Sequence, residues 1–436
     1  MTSNADIVIC GAGMAGVATA YELAVRRGVR RVALVDEREP LTLTSDKGTQ
    51  AYRNWWPDGV MVQLMERSIA ALEELAAESG NAFGMEPRGY LYVARSPASA
   101  VELRDAAVAT SALGAGPLRG GDATLGAGAS LDAAAAPAET YPRGADLYSG
   151  NDAVRTRFTF LASDAAAAVH VRRAGWMDAV RLGRWLLGRA RAHGVELHLD
   201  RVVGVDLAGD RVAGVRLASG EHIATPALVL AAGPLLARAA ALLPGVEMPV
   251  ACELHSKLCF DDVRGALPRD APLVIGCDPL QIDGVDLPAG VHARPLDRGD
   301  GRPRVLVLWS YDCAVMSQPA LPPRFDPRFA SMALRGMAQV VPGFAAYAGT
   351  PPAGATVDGG YYCTTPDHRP LVGPLPVRGA FVAGGLGGYG IMSSPGVAEL
   401  IASHITGRAP AEFAAALDPG RFRGGETPRR AASGVL

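Results

Sequence analysis

Arg53 lies in the stretch TSDKGTQAYRNWWPDG (44–59), one residue removed from two adjacent tryptophans in a chain with only five. A guanidinium is a rigid fork of donors that meets a carboxylate through two parallel hydrogen bonds. Arg53 is therefore either an anchor for an acid group or an ordinary surface or helix-end charge. Trp55 and Trp56 cannot share a face of a helix or strand. One is expected in core or interdomain packing, the other on the wall of a binding cavity. Tyr361 and Tyr362 divide in the same way. His255 and Lys257 stand two apart in ELHSKLCF and share a face if that run is a strand. Such a pair sets a base beside a cation, or equally makes a polar stripe facing solvent.

A second group of residues has a phosphate-binding pattern. Gly11-Ala-Gly13-Met14-Ala15-Gly16 follows the apolar run 6–10 without a gap and opens a helical pattern over 14–27. Gly11 suits a tight turn, Gly13 a close approach of backbone to a pyrophosphate, and Gly16 close helix packing. The helix N-terminus supplies positive potential to the phosphates. A further apolar run, 32–35, closes in Asp36 and Glu37, and an acid there suits ribose hydroxyls. The loop residues Ser45, Lys47, Gly48 and Thr49 present hydroxyl and N–H groups to the cofactor, or form an ordinary polar turn.

Three distant features favour FAD over NAD. LVLAAG, with Ala232 and Gly233, is a late strand ending in small residues. RVVGV, with Val202, resembles the adenine-holding segment of flavoproteins with two dinucleotide-binding folds. TTPDHRPLVG, followed by FVAGGLGGYGIMSSPG, brings Gly385, Gly387, Gly388, Tyr389, Gly390, Ile391 and Met392 to what would be a flat ring. A helix starting near Pro395 would aim its positive end at that ring, stabilising an anionic reduced flavin.

The elements positioning these residues are legible as patterns. They are a strand–turn–helix–strand unit over the first 36 residues, a long helix over 59–79, a strand at 90–94 and an amphipathic helix ending at Gly194. Short strands then run from Val195 to Ala232, and β-like sequence from Pro249 to Trp309. The Ala- and Gly-rich stretch 97–138 reads as surface helices and loops, and the last residues as a frayed tail. The 436 residues carry 42 basic and 44 acidic side chains, a net charge of −2, so no basic block suggests nucleic acid. The six cysteines are scattered without metal-ligand spacing. That speaks against a metal site and fits a reducing, cytoplasmic compartment. No membrane span and no secretory leader are expected.

The glycine-rich start together with T-P-D-x-x-P-L-V-G, its glycine turn and S-P-G resembles the D-amino-acid oxidase superfamily, within the sarcosine oxidase, glycine oxidase and dimethylglycine dehydrogenase branch. The resemblance covers 5–60, 169–235 and 358–407. It implies an α/β fold: a discontinuous Rossmann-type FAD-binding domain (1–85, 150–245, 350–420) plus an α+β substrate domain with a mixed or antiparallel sheet (86–149, 246–349), and a flexible tail over 421–436. It implies FAD-dependent oxidation of an amine or amino-acid-like substrate at a C–N bond. Hydride would pass to flavin N5, an imine would form, and oxygen or an electron carrier would be the acceptor. Arg53 matches the carboxylate anchor by position, and Tyr362 matches a site tyrosine. Ile391 stands where relatives have a second, lysine clamp, so that clamp is missing and a larger or masked substrate becomes plausible. Gly360 replaces a flavin-linking cysteine, so that covalent bond cannot form. If their face looks toward the flavin, Lys257 would favour oxygen reactivity and His255 would act as a base. The competing readings are a monooxygenase using NAD(P)H, against which the T-P-D motif counts, and the flavin subunit of an electron-transfer complex. Oligomeric state is not readable.

Overall fold

A computed structural model describes residues 2–120, 143–297, 299–348, 352 and 354–423. The tail expected over 421–436 starts too early, because Pro419–Phe422 is a short helical turn with Arg421 paired to Asp367 at 2.9 Å. The residues after Arg423 and the middle of the Ala/Gly-rich stretch lie outside the described residues. Within that stretch, Pro97–Thr110 is a helix capped by the Ser96 side chain.

The strand Ile7–Cys10 pairs in parallel with Val32–Asp36 on one side and Leu228–Leu230 on the other. Glu196–Leu199 and Ala380–Gly384 extend this parallel sheet, and Leu371–Pro374 adds an antiparallel edge, making six strands among the described residues. Near-continuous apolar runs such as IVIC and VALVD suit strands covered on both faces. On one face lie the helices Met14–Tyr21, Gly59–Ser79, Ala179–Ala192 and Gly390–Ile405. Strands Val202–Ala208 and Arg211–Leu217 belong to a smaller sheet that contributes to the core on the other face. Asp58 ends the tryptophan stretch by capping Gly59–Ser79, its Oδ1 accepting from Val60 N at 2.8 Å and Met61 N at 3.3 Å.

The last helix departs from expectation. It begins at Gly390, not near Pro395, and carries the proline inside. Proline removes one ladder hydrogen bond and crowds the turn before it. The freed groups find other partners: Ile391 O accepts from Ser394 Oγ at 2.9 Å, and Ser68 Oγ, on Gly59–Ser79, donates to Met392 O while accepting from Gly396 N at 3.1 Å. A serine from a neighbouring helix thus fills the gap in the ladder.

The second sheet is mixed and has ten strands among the described residues. Its central path runs Ala251–Asp261, Arg304–Leu308, His292–Pro295, Leu273–Gly276, Tyr90–Ala94, Ala167–Val171, and Thr356–Thr364 pairs with the outer edge of Ala251–Asp261. Ala167–Val171 and Thr356–Thr364 fall in segments expected to serve the cofactor, yet both pair in this sheet. One face is apolar and carries the helix Phe329–Val340, with Leu258, Val274, Ala293 and Val307 beneath Leu334 and Met337. The other face carries most of the polar residues discussed below.

Candidate active site

A cavity of about 390 Å³ runs along the ends of the parallel strands. Gly11, Gly13, Met14 and Ala15 line it at one place, with Asp36 and Glu37, Val202, Ala232 and Gly233 around them. Gly385, Gly387, Gly388, Gly390, Ile391, Tyr361 and Tyr362 line it too, with Ser45 and Gly48 between. Gly11 has φ +113°, and an added Cβ would stand 2.4 Å from Ala231 O, so only glycine fits this turn. The Asp36 carboxylate accepts from Ala12 N at 2.7 Å and Arg38 N at 2.9 Å, and Ser45 Oγ accepts from Met14 N at 3.1 Å. Together these bonds hold the glycine turn open. Burial, then Asp36 and Glu37, push the Cys10 thiol up to about 12, leaving a neutral wall. Thr44 Oγ1 is buried at the cavity without a hydrogen-bond partner, an orphan that a phosphate or ring oxygen would satisfy. The residues fit a dinucleotide.

Five residues expected at the cofactor stand outside the cavity lining. Gly16 packs against the Gly11 carbonyl, where a Cβ would sit at 1.8 Å. Lys47 pairs with Asp358 at 2.9 Å. Thr49 Oγ1 meets His292 Nε2 at 2.8 Å, the Tyr389 hydroxyl donates to His368 O, and Met392 is tied through its carbonyl to Ser68. Four of the five therefore brace the cavity through side chain or carbonyl, and Gly16 does so by close packing.

Trp55 is fully buried in the core beside Tyr90, Tyr92 and Trp176. Trp56 stays partly exposed, and its ring stands edge-on to Tyr389 at 5.2 Å. The Arg53 guanidinium lies 4.6 Å from the Trp56 ring centroid and 5.7 Å from those of Tyr90 and Tyr92. Among the described residues it has no carboxylate partner, and burial pulls its pKa below the ordinary arginine value. A lone cation in an aromatic cage is costly unless an anion joins it.

Register aligns the remaining groups. Lys257 stands opposite Leu308, Leu308 opposite His292, His292 opposite Ile275, and Ile275 opposite Tyr92. Two residues along each strand, Cys259, Leu306, Arg294, Leu273 and Tyr90 form the next row on the same face. His255, two before Lys257, stacks on the cavity-lining Tyr362 ring with centroids 3.9 Å apart. Its Nδ1 meets Ser310 Oγ at 2.6 Å and its Nε2 meets Glu253 at 3.3 Å. The Tyr362 ring also fits between two backbones: a Cβ at Gly48 would be 2.8 Å from its hydroxyl, and one at Gly388 2.5 Å from the ring. Burial pushes the Tyr362 phenol above its ordinary value. Lys257 Nζ donates to Asp46 O, and burial lowers its pKa.

His292 and Arg294 escaped the sequence reading. Burial holds His292 down to about 4, and Arg53, His255 and Arg294 all act on it electrostatically, so it is neutral. Arg294 is 1% exposed, donating from Nε to Thr49 O and from Nη1 to Pro295 O, both at 2.8 Å. HARP sits in a β-like stretch with no motif, and only its alternation with the apolar Val291 and Ala293 could have marked His292 and Arg294 as facing one way.

Burial, reinforced by Arg172, also holds His170 down to about 4. The unfolded histidine takes a proton near pH 6.5 and the folded one does not, so the unfolded state binds more protons between pH 6.5 and 4. Stability therefore falls as pH drops through that window, by roughly 3 kcal/mol for this residue. Urea midpoints at pH 7.5 and 4.5 should show the loss, and His170→Gln should flatten it measurably. An unchanged slope in the variant would remove His170 as the cause.

Residues 6–404 match the family model described as "DAO: FAD dependent oxidoreductase". Among solved structures, the chain is similar to an L-proline dehydrogenase from P. horikoshii, with TM-score 0.77 and 19% identity over 98% of this chain and 100% of that one. A glycine oxidase from Geobacillus kaustophilus superposes with TM-score 0.75 and 20% identity, covering 97% of this chain and 100% of that one. An iminodiacetate oxidase from Chelativorans sp. BNC1 gives 0.69 and 20%, covering 95% and 98% respectively. At these identities the structural likeness is one of fold. The family match spans nearly the whole length, over the same glycine turn, acidic strand end and C-terminal glycine run that line the cavity, and the chain belongs to the DAO family of FAD-dependent oxidoreductases.

Proposed function

We propose that the protein oxidises a C–N bond in an amine or amino-acid-like substrate whose carboxylate rests on Arg53. The supporting observation is the Arg53 guanidinium itself, walled by three aromatic rings and matched by no carboxylate among the described residues. Such a site gains most from a ligand that brings its own negative charge. FAD, held by Gly11 to Ala15, Asp36, Val202 and the glycines 385–390, supplies the two-electron chemistry when bound.

The chain's own residues then bind, orient and exclude water. Arg53 fixes the acid end, while Trp56, Tyr90 and Tyr92 shield it. Tyr362, wedged between the Gly48 and Gly388 backbones, separates the cofactor cavity from the polar sheet face. Both ring nitrogens of His255 are already engaged, so its part is to hold the Tyr362 ring in place rather than to meet the substrate. Lys257 places a positive charge behind the loop 44–49 through Asp46 and would favour oxygen as acceptor, with a carrier as the alternative. The division of labour we propose is a cofactor unit of 1–85, 150–245 and 350–420 and a substrate unit of 86–149 and 246–349. The strands Ala167–Val171 and Thr356–Thr364 cross into the sheet of the second.

The test is anaerobic mixing of purified yellow protein with secondary amines, N-methyl amino acids and imino acids. At least one class should bleach the flavin absorbance within seconds. Rapid bleaching by NADPH alone, with every amine inert, would replace this reading with a monooxygenase.

A further inference from the structure

The polar face of the larger sheet carries more positive charge than its neighbours balance. Lys47 pairs with Asp358 at 2.9 Å and with Asp46 at 3.3 Å, and Lys257 lies within the field of the same two carboxylates. Glu253 is taken by His255. Two lysines are thus matched by two aspartates, which leaves Arg53 and Arg294 over. Arg294 acts electrostatically on Tyr90 and His292, the same groups on which Arg53 acts, so the two guanidiniums share one neighbourhood. The carboxylate that reaches Arg294 most directly, Asp178, is already the cap of the helix Ala179–Ala192, bonded to Arg181 N at 2.9 Å.

Arg294 differs from the covered arginines that hold carboxylates. Arg173 lies between Glu66 and Glu73, Arg421 is forked onto Asp367, and Arg304 is held by Asp261 and Asp300. Arg294 is more buried than any of them, its row neighbours are Leu306 and Leu273, its guanidinium lies 5.4 Å from the Trp176 ring centroid, and both of its hydrogen bonds go to carbonyls. Those carbonyls use Nε and Nη1 and lock the guanidinium plane, and no carboxylate pairs with it among the described residues. Two carbonyl dipoles and one aromatic ring do not offset the desolvation of a full charge. Burial lowers its pKa to about 10, which still leaves it a cation at neutral pH.

We propose that Arg294 is a second anion-binding position facing the same substrate space as Arg53, and that the substrate carries two anionic groups, as an N-substituted dicarboxylic amine or an acidic amino acid does. The proposal rests on the Arg53 reading above and adds the substrate class to it. It also changes what the missing lysine at Ile391 means. The second clamp comes from the larger sheet, where the pocket is built, and not from the C-terminal glycine turn.

The experiment uses holoenzyme and unreactive anions that perturb the flavin spectrum: acetate and propionate against malonate, succinate and glutarate. In the wild type, at least one dicarboxylate should bind ten-fold or more tightly than the monocarboxylates. Arg294→Gln should erase that preference while leaving monocarboxylate affinity within about two-fold, and Arg294→Lys should keep most of it. Arg53→Gln should weaken both classes. Dicarboxylates no tighter than monocarboxylates in the wild type would overturn the proposal while leaving Arg53 in place. The same holds if Arg294→Gln weakens both classes equally, which would make it only a pin for Thr49. If no anion perturbs the flavin and Arg53→Gln changes nothing, the Arg53 reading fails and the proposal fails with it.

Discussion

Arg53→Met should lower kcat/KM by about 10³-fold while the protein stays yellow. Removing one partner of a desolvated, two-pronged charge pair costs on the order of 3–5 kcal/mol, which corresponds to that factor. Methionine keeps the apolar stem over Trp56, so the loss would report the charge and not the packing. Arg53 lies outside the lining of the cofactor cavity, so FAD content should match the wild type. Steady-state kinetics on the best amine of the panel, with FAD stoichiometry on the same preparation, decides the matter. Unchanged kinetics would move the acid group of the substrate to another anchor.

Gly11→Ala should give a colourless protein. The residue has φ +113°, and its new Cβ would fall 2.4 Å from Ala231 O and 2.7 Å from Ala231 C. Both are backbone atoms of the segment that follows the Leu228–Leu230 strand, so relief requires the turn to leave the sheet end. FAD affinity should fall at least 100-fold and stability by about 3 kcal/mol or more. Gly28→Ala is the control, because φ is +72° there but the Cβ would meet nothing within 4 Å. It should cost only about 1 kcal/mol of backbone strain and keep its colour. Full FAD occupancy in Gly11→Ala would show that the cofactor does not need the turn.

What the sequence makes legible here is local. The helix Gly59–Ser79 and the strand Tyr90–Ala94 have the bounds their patterns suggest, because periodicity and a capping aspartate act within a few residues. The glycine turn and Asp36 are legible for the same reason: their spacing along the chain is the geometry. Pro395 misled because the groups that repair the ladder include Ser68 on another helix, out of reach of any local pattern. Arg294 and His292 were hidden for a related cause. Their significance comes from His292 lying in a row with Lys257 and Tyr92, and Arg294 in the next row with Cys259 and Tyr90, and those rows exist only once strands far apart in the chain are paired. Whether Trp55 or Trp56 approaches Arg53 is likewise decided by Trp176, Tyr90 and Tyr389, not by the dipeptide. Sequence spacing shows chemistry carried by one segment, and tertiary pairing adds the charge balance across several.

The strand order has a consequence for how the protein is made. Ala380–Gly384 is the partner of Leu228–Leu230 on the side away from Ile7–Cys10, and the glycine run that closes the cofactor cavity follows it directly. A ribosome has therefore released the phosphate-binding turn long before it releases the residues that wall the other end of the cavity. Until the chain has been extended past Ile391, the nascent sheet has an unpaired hydrophobic strand edge and holds a dinucleotide by one end only. Cofactor capture is thus a late event in biogenesis. In that interval the unpaired edge of Leu228–Leu230 is open to pairing with other chains.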